Sequence, residues 1–187
     1  MIDILSAFGL SSAAGLNAYL PLLIVGLLAR FTDLISLNHP WDVLENPWVL
    51  GLLTLLLIIE MTADKIPAID TLNDGIQTFV RPAAGAILFA SSNNIISDMS
   101  PALALALGLF AAGGIHAVKA TARPVVTATT AGVGNPVVSV AEDVISGMMT
   151  LMAILLPAIA ALLVLVFGFF IGRWVWRRRP QAEARAR

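Results

Sequence analysis

The run PWVLGLLTLLLII, from Pro47 to Ile59, ends abruptly at Glu60. The charged stretch EMTADKIPAIDTLNDGIQTFVRP follows, carrying Glu60, Asp64, Lys65, Asp70, Asp74 and Arg81, and then another mostly apolar segment begins. Hydrocarbon does not solvate unpaired charge. A polar stretch held between apolar runs is therefore either a loop at a membrane surface or a functional site within a membrane. Composition supports that setting: 58% of the 187 residues are hydrophobic and 12% are charged, against about 25% charged in soluble domains. The chain reads as a single all-α integral membrane protein. It has no cysteine and only two histidines, His39 and His116. A disulfide framework, a thiolate metal site and a histidine-rich metal site are thereby excluded. The metal content is otherwise unspecified.

Spanning ~30 Å of hydrocarbon takes about 20 helical residues. Segment one is Ile4 to Ala29, interrupted by Gly9, Gly15, Asn17 and Pro21. The acidic loop Arg30 to Glu45 is expected outside. Segment two opens at Asn46-Pro47, a cap followed by proline at the first helical position, and ends near Pro67. From Asp70 to Arg81, the apolar positions Ile69, Leu72, Ile76 and Phe79 recur at helical spacing. This predicts a short amphipathic helix in the cytoplasmic interface, with Asp70, Asp74 and Arg81 as interfacial residues. Segment three, Pro82 to about Ile96, is a crossing or a re-entrant hairpin. Segment four opens at Ser100-Pro101, and Lys119 and Arg123 place its far end inside. Segment five opens at Asn135-Pro136 and reaches Pro157, and segment six is Ala158 to Gly172. From Arg173 onward there are six arginines and one acid. The positive-inside rule makes this tail cytoplasmic, and the even segment count puts both termini there. The tail is also a surface for anionic lipids.

The two halves share a pattern. GLSSAAGLNA (Gly9 to Ala18) matches GLFAAGGIHA (Gly108 to Ala117) at five of ten positions. Asn46-Pro47 pairs with Asn135-Pro136, and Pro67-Ala68-Ile69 with Pro157-Ala158-Ile159. The chain therefore divides into residues 1–99, a first three-segment unit, residues 100–176, a second unit inverted in the membrane, and the basic tail 177–187. About six transmembrane or re-entrant segments arranged as two inverted three-segment repeats are a recurring transporter architecture. The competing reading is that small-residue packing motifs recur in any helix bundle.

Depth follows from the 1.5 Å rise per residue. Glu60 falls about 20 Å into a ~30 Å core from the outer side. Glu142 falls roughly 9 Å from the inner edge, and His116 and Lys119 share that layer. An ionised group at mid-helix costs ~2.5–3.5 kcal/mol on insertion scales. Such groups must pair, face water or snorkel. Lys65 and Lys119 have stems long enough to snorkel, whereas Glu60 and Glu142 do not. Glu60, Asp64, His116, Lys119, Glu142 and Asp143 are thus the candidate substrate- or ion-binding residues. Gly15, Asn17 and Gly114 are candidate gate or helix-break positions, with Asn17 expected on the side opposite His116. The structural alternative is a Glu–Lys or Glu–His pair that fixes helix register.

Other chemistry is thin. The sequence holds no Walker or Rossmann glycine loop, no Gly-x-Ser-x-Gly elbow and no HExxH. No catalytic residue and no cofactor are assigned, and nothing points to nucleic acid. The expected partners are the lipid bilayer and anionic lipids. Six short spans make a thin bundle, which leaves room for a homodimer that no motif specifies.

Three blocks carry a family likeness: GLNAYLPLL, EMTADKIPAID with QTFVRPAAG, and GGIHAVKATARP with GNPVVSVAEDV. They resemble a bacterial family of small multi-pass membrane proteins classed as a domain of unknown function. The likeness spans nearly the whole chain. It implies a bacterial inner-membrane protein and supplies no activity, substrate or catalytic residue. Three functions remain in view. They are a small transporter or channel for an ion, proton-coupled solute or lipid head group, a non-catalytic scaffold or assembly factor, and a metal-dependent enzyme acting on lipid head groups.

Overall fold

A computed structural model describes residues 4–64, 67–92, 99–156 and 163–173, with only the backbone described for 67–72 and 74. All regular structure among these residues is helical. The helices are α1 (Ile4–Leu16), α2 (Tyr19–Phe31), α3 (Pro47–Ala63), α4 (Pro67–Ser91), α5 (Pro101–Thr130), α6 (Asn135–Leu155) and α7 (Leu163–Arg173). A short 3-10 turn, Trp41–Glu45, precedes α3.

Helix α1 is the centre of the bundle. Its sequence, ILSAFGLSSAAGL, is dominated by small residues, and Ser6, Ala7, Gly9, Leu10 and Ser11 through Gly15 are all buried. Small side chains let helix backbones approach closely, and α4, α5 and α6 all pack on α1. A side-chain carbon at Gly15 would meet the Ala112 carbonyl and Ile115, and one at Gly85 would strike Ala112 and the Gly108 carbonyl. Helices α1, α4 and α5 therefore meet at glycine and alanine, with no room for anything larger.

The α1–α6 contact is polar. Ser6 Oγ donates to the Ala153 carbonyl at 2.6 Å, and Ser146 Oγ to the Ala13 carbonyl at 2.9 Å. On α6 the buried residues Asn135, Ser139, Asp143, Ser146, Thr150 and Ala153 form one stripe at spacings of three and four. The outside is the reverse. Trp48 is 87% exposed, Phe79 79% and Phe110 74%, while Arg81 is 0% and Glu60 1% exposed. Among the described residues, two helices, α5 and α6, are long and apolar enough to cross a membrane.

Local signals hold at two helix starts. Asn46 Oδ1 accepts from the Trp48 N–H at 2.9 Å, and Ser100 Oγ accepts from the Leu103 N–H at 3.3 Å. Asn135 also opens its helix, but its side chain bonds Thr127 across the preceding turn instead of capping.

Other expectations need correction. Segment one is two helices, because the chain breaks at Asn17 and Ala18. The expected interfacial helix and the segment after Pro82 are one continuous helix of 25 residues with Pro82 inside it, roughly 37 Å long. Helix α5 likewise runs unbroken through Gly114 and Pro124, so Gly114 is no break. A side chain there would meet nothing within 4 Å. Residues 157–162, which hold the second Pro-Ala-Ile, lie outside the described residues, as does the tail from Trp174.

Candidate functional site

Four helices converge on one buried charge cluster. α3 brings Glu60 and, at its C-terminal cap, Asp64. These positions are four residues apart and share a helix face. α4 brings Arg81. α5 brings His116, Lys119 and Arg123, the continuation of its buried face Ala104, Gly108 and Ala112. α6 brings Glu142. The α5–α6 hairpin sets its own register: Arg123 lies seven residues before the end of α5 and Glu142 seven after the start of α6. Equal distances from a tight turn place the two side chains level.

The pairing is dense. Arg81 donates to Glu60 Oε1 from Nη2 at 3.0 Å and from Nε at 3.4 Å. Asp64 Oδ2 faces three cations: Lys119 at 3.3 Å, Arg123 at 3.4 Å and Arg81 at 3.7 Å. Asp64 Oδ1 accepts from Asn73 Nδ2 at 2.7 Å. Glu142 Oε2 receives Arg123 at 2.7 Å and Lys119 at 3.0 Å. His116 joins through Arg81, whose Nη1 lies 3.1 Å from Nδ1, and through Thr78, whose Oγ1 lies 3.1 Å from Nε2. A guanidinium only donates, so Nδ1 accepts and the ring proton sits on Nε2, directed at Thr78. Two acceptors, Glu60 Oε2 and Gln77 Oε1, have no hydrogen-bond partner among the described residues.

The helix break adjoins this cluster. Asn17 Oδ1 accepts from the N–H groups of Tyr19 at 3.1 Å and Leu20 at 2.9 Å, which caps α2. Its Nδ2 donates to Asp143 Oδ1 at 2.9 Å. Lys119 Nζ reaches the Leu16 carbonyl at 3.2 Å, on the other side of the break. Asn17 thus lies with the charges, not across the molecule from them as expected of an opposite gate. Asn17→Ala should cost about 1–3 kcal/mol, from the lost cap and the lost donor to Asp143. Chemical unfolding in detergent would measure it, and a cost below a few tenths would mean that the break caps itself.

Of the residues named from sequence, Glu60, Asp64, His116, Lys119 and Glu142 meet in one network, and Asp143 joins at its edge through Asn17. Gly15 packs in the last turn before the break. The side chains of Asp70 and Asp74 lie outside the described residues. Arg81, expected as an interfacial anchor, is instead fully buried at the centre of the network. Arg123 was read only as a topology charge and is 4% exposed. Its signal was available: His116, Lys119 and Arg123 are spaced by three and four, which puts all three on one face. Both buried arginines directly precede a proline inside a helix.

Buried ions carry a desolvation cost of several kcal/mol each, offset only by good geometry and complete pairing. Here Glu60, Asp64 and Glu142 each face at least one cation, while Glu60 Oε2 keeps no hydrogen-bond partner among the described residues. A surface cavity of about 710 Å³ lies elsewhere, against Arg30, His39, Asp42 and Glu45. It does not join Glu60 to Glu142.

No curated protein and no solved structure matches the chain. Residues 4–178 match the family described as a domain of unknown function, DUF4126. That match takes in every helix described above and every residue of the charge cluster, and the chain therefore belongs to the DUF4126 family.

Proposed function

We propose that this is a multi-pass membrane protein of the bacterial inner membrane, built as two inverted three-segment repeats with both termini cytoplasmic. We read it as a small transporter or channel for an ion or proton-coupled solute, seen here with its charged layer closed. One observation carries the reading. A discontinuous helix, α1–α2, breaks at the level of a buried charge network, inside a bundle whose outer surface is apolar. Transporters place binding sites where half-helix ends and freed carbonyls meet polar side chains near mid-membrane. Charges held within a membrane are costly enough that a pathway role is their default reading. In the inverted-repeat scheme α3 corresponds to α6, both opening at Asn-Pro. α1–α2 corresponds to α5, broken in the first copy and continuous in the second.

The scaffold reading has its own support. Among the described residues, Glu60, Asp64 and Glu142 each face at least one buried cation. A lipid-head-group enzyme has less support, because Arg81 is buried beside Glu60 and Asp64 and not exposed at a surface.

Flux in reconstituted vesicles separates the readings. The purified chain should dissipate an imposed gradient of protons, sodium, potassium or ammonium faster than empty vesicles. Glu60→Gln and Glu142→Gln should lose that flux by tenfold or more while eluting as folded protein. Wild-type leakage equal to empty vesicles for all four ions would leave the scaffold reading standing.

A further inference from the structure

The ammonium of Lys119 has three N–H donors, and three oxygens lie within 3.3 Å of it, two as hydrogen-bond acceptors and one as an ion-pair partner. They are the Leu16 carbonyl at 3.2 Å, Asp64 Oδ2 at 3.3 Å and Glu142 Oε2 at 3.0 Å. The oxygens come from α1, from the end of α3 and from α6, so α5 contributes only the cation. The Leu16 carbonyl is available because of the helix break. In a continuous helix it would accept from the Leu20 N–H, but that N–H is turned to Asn17 Oδ1. The break thus frees one main-chain oxygen, which accepts from the Lys119 ammonium.

Without Lys119, this set is an oxygen-lined cation site of two carboxylates and one carbonyl. The oxygens stand 3.0–3.3 Å from the nitrogen, wider than the ~2.3–2.6 Å of calcium sites or the ~2.0–2.1 Å of magnesium sites. That spacing suits ammonium or an ion of similar radius. Among the described residues, the cluster sets Glu60, Asp64, Glu142 and Asp143 against Arg81, Lys119 and Arg123. Glu60 Oε2, buried in the same cluster, has no hydrogen-bond partner among the described residues. The lysine stem is flexible enough to withdraw its head group.

We infer that Leu16, Asp64 and Glu142 form a binding site for an ammonium-sized monovalent cation, which the Lys119 ammonium fills as a tethered surrogate in the closed arrangement. The inference names the cargo class of the proposed transport and rests on that reading for its physiological meaning. Exchange needs no covalent step: the side-chain ammonium leaves and a free cation of equal charge takes its place.

The test is thermal unfolding of Lys119→Ala in detergent. Ammonium, methylammonium, potassium, sodium or magnesium chloride is titrated, with choline chloride holding ionic strength. In ammonium or potassium the midpoint should rise by roughly 3–6 °C for each tenfold increase above the dissociation constant. The wild type should not respond, and adding Glu142→Gln to the variant should abolish the response. Lys119→Gln, which keeps a hydrogen-bonding side chain in the cage, serves if the alanine variant is not recovered. A folded variant with no ion-specific response overturns the inference, as does failure of both variants to fold in every salt. Binding without flux would remove transport and leave the site. Flux without binding would remove the site alone.

Discussion

Asp64→Asn lowers the stability of the folded protein by about 3–5 kcal/mol, the cost of leaving buried cations without their counter-charge. The side chain is 2% exposed and its Oδ2 faces Lys119, Arg123 and Arg81 within 4 Å. Asparagine keeps the shape but removes the charge that all three cations share. Lys119 and Arg123 retain Glu142, and Arg81 retains Glu60, so the network weakens at its hub while its two arms persist. Urea or dodecyl sulfate unfolding in micelles measures the loss. A double-mutant cycle with Arg123→Gln isolates the pair. Contacting charges should couple by more than about 0.5 kcal/mol, and a coupling near zero would mean that Asp64 and Arg123 do not interact. The cycle also bears on function. A cluster kept only for register should tolerate joint replacement by apolar residues of similar volume, which is often neutral or stabilising for buried ion pairs.

A second large effect comes from the contact of α4 with α5. Gly108→Ala should destabilise by about 1–3 kcal/mol, the usual cost of overpacking. The added methyl would land on the Gly85 carbonyl, the Ala86 Cα and the Phe89 Cβ. Two of those are backbone, so the helices must separate. Gly85→Ala meets the same obstacle from the other side, against Ala112 and the Gly108 carbonyl. The two substitutions should combine sub-additively, since helices already pushed apart by one leave room for the other. Separation would also shift Arg81 relative to His116, because both lie on these helices a few residues from the contact. Gly51→Ala and Gly114→Ala are the controls. Nothing lies within 4 Å of either position, and both are inside helices, so each should gain about 0.5–1 kcal/mol from reduced backbone entropy. Thermal melts of the four variants would test the contact. Equal behaviour of Gly108→Ala and Gly114→Ala would mean that α4 and α5 do not touch as described.

Much of the site was legible from local rules. Helix rise is a local constant, so counting residues from Pro47 and Pro136 placed Glu60 and Glu142 at one depth before any fold was known. The same counting put His116 and Lys119 in that layer. What counting did not reveal was the pairing. Arg81 looked like an anchor because Pro82 follows it, and proline inside a helix costs about 3 kcal/mol or more. That penalty normally ends a helix. Here α4 continues, and Arg81 reaches Glu60 and His116 from the middle of it. Asn17 was assigned to the opposite side through its match to His116. Its partner, Asp143, is 126 residues away in sequence, a contact that no periodicity encodes.

The sequence by itself determined the helical class, the starts at Asn46-Pro47 and Ser100-Pro101, the family, and the candidate residues Glu60, Asp64, His116, Lys119, Glu142 and Asp143. The family follows from the resemblance of its motif blocks, and the rest from composition, capping chemistry and helix rise, which act over a few residues. Only the tertiary structure decided that Glu60 to Pro82 supplies a buried cluster from two helices, and that Arg81 and Arg123 complete it. It alone revealed that the break at Asn17 turns the Leu16 carbonyl toward Lys119. Those are matters of which helix faces meet, and they depend on the small residues of α1, α4 and α5 letting four helices close on one point.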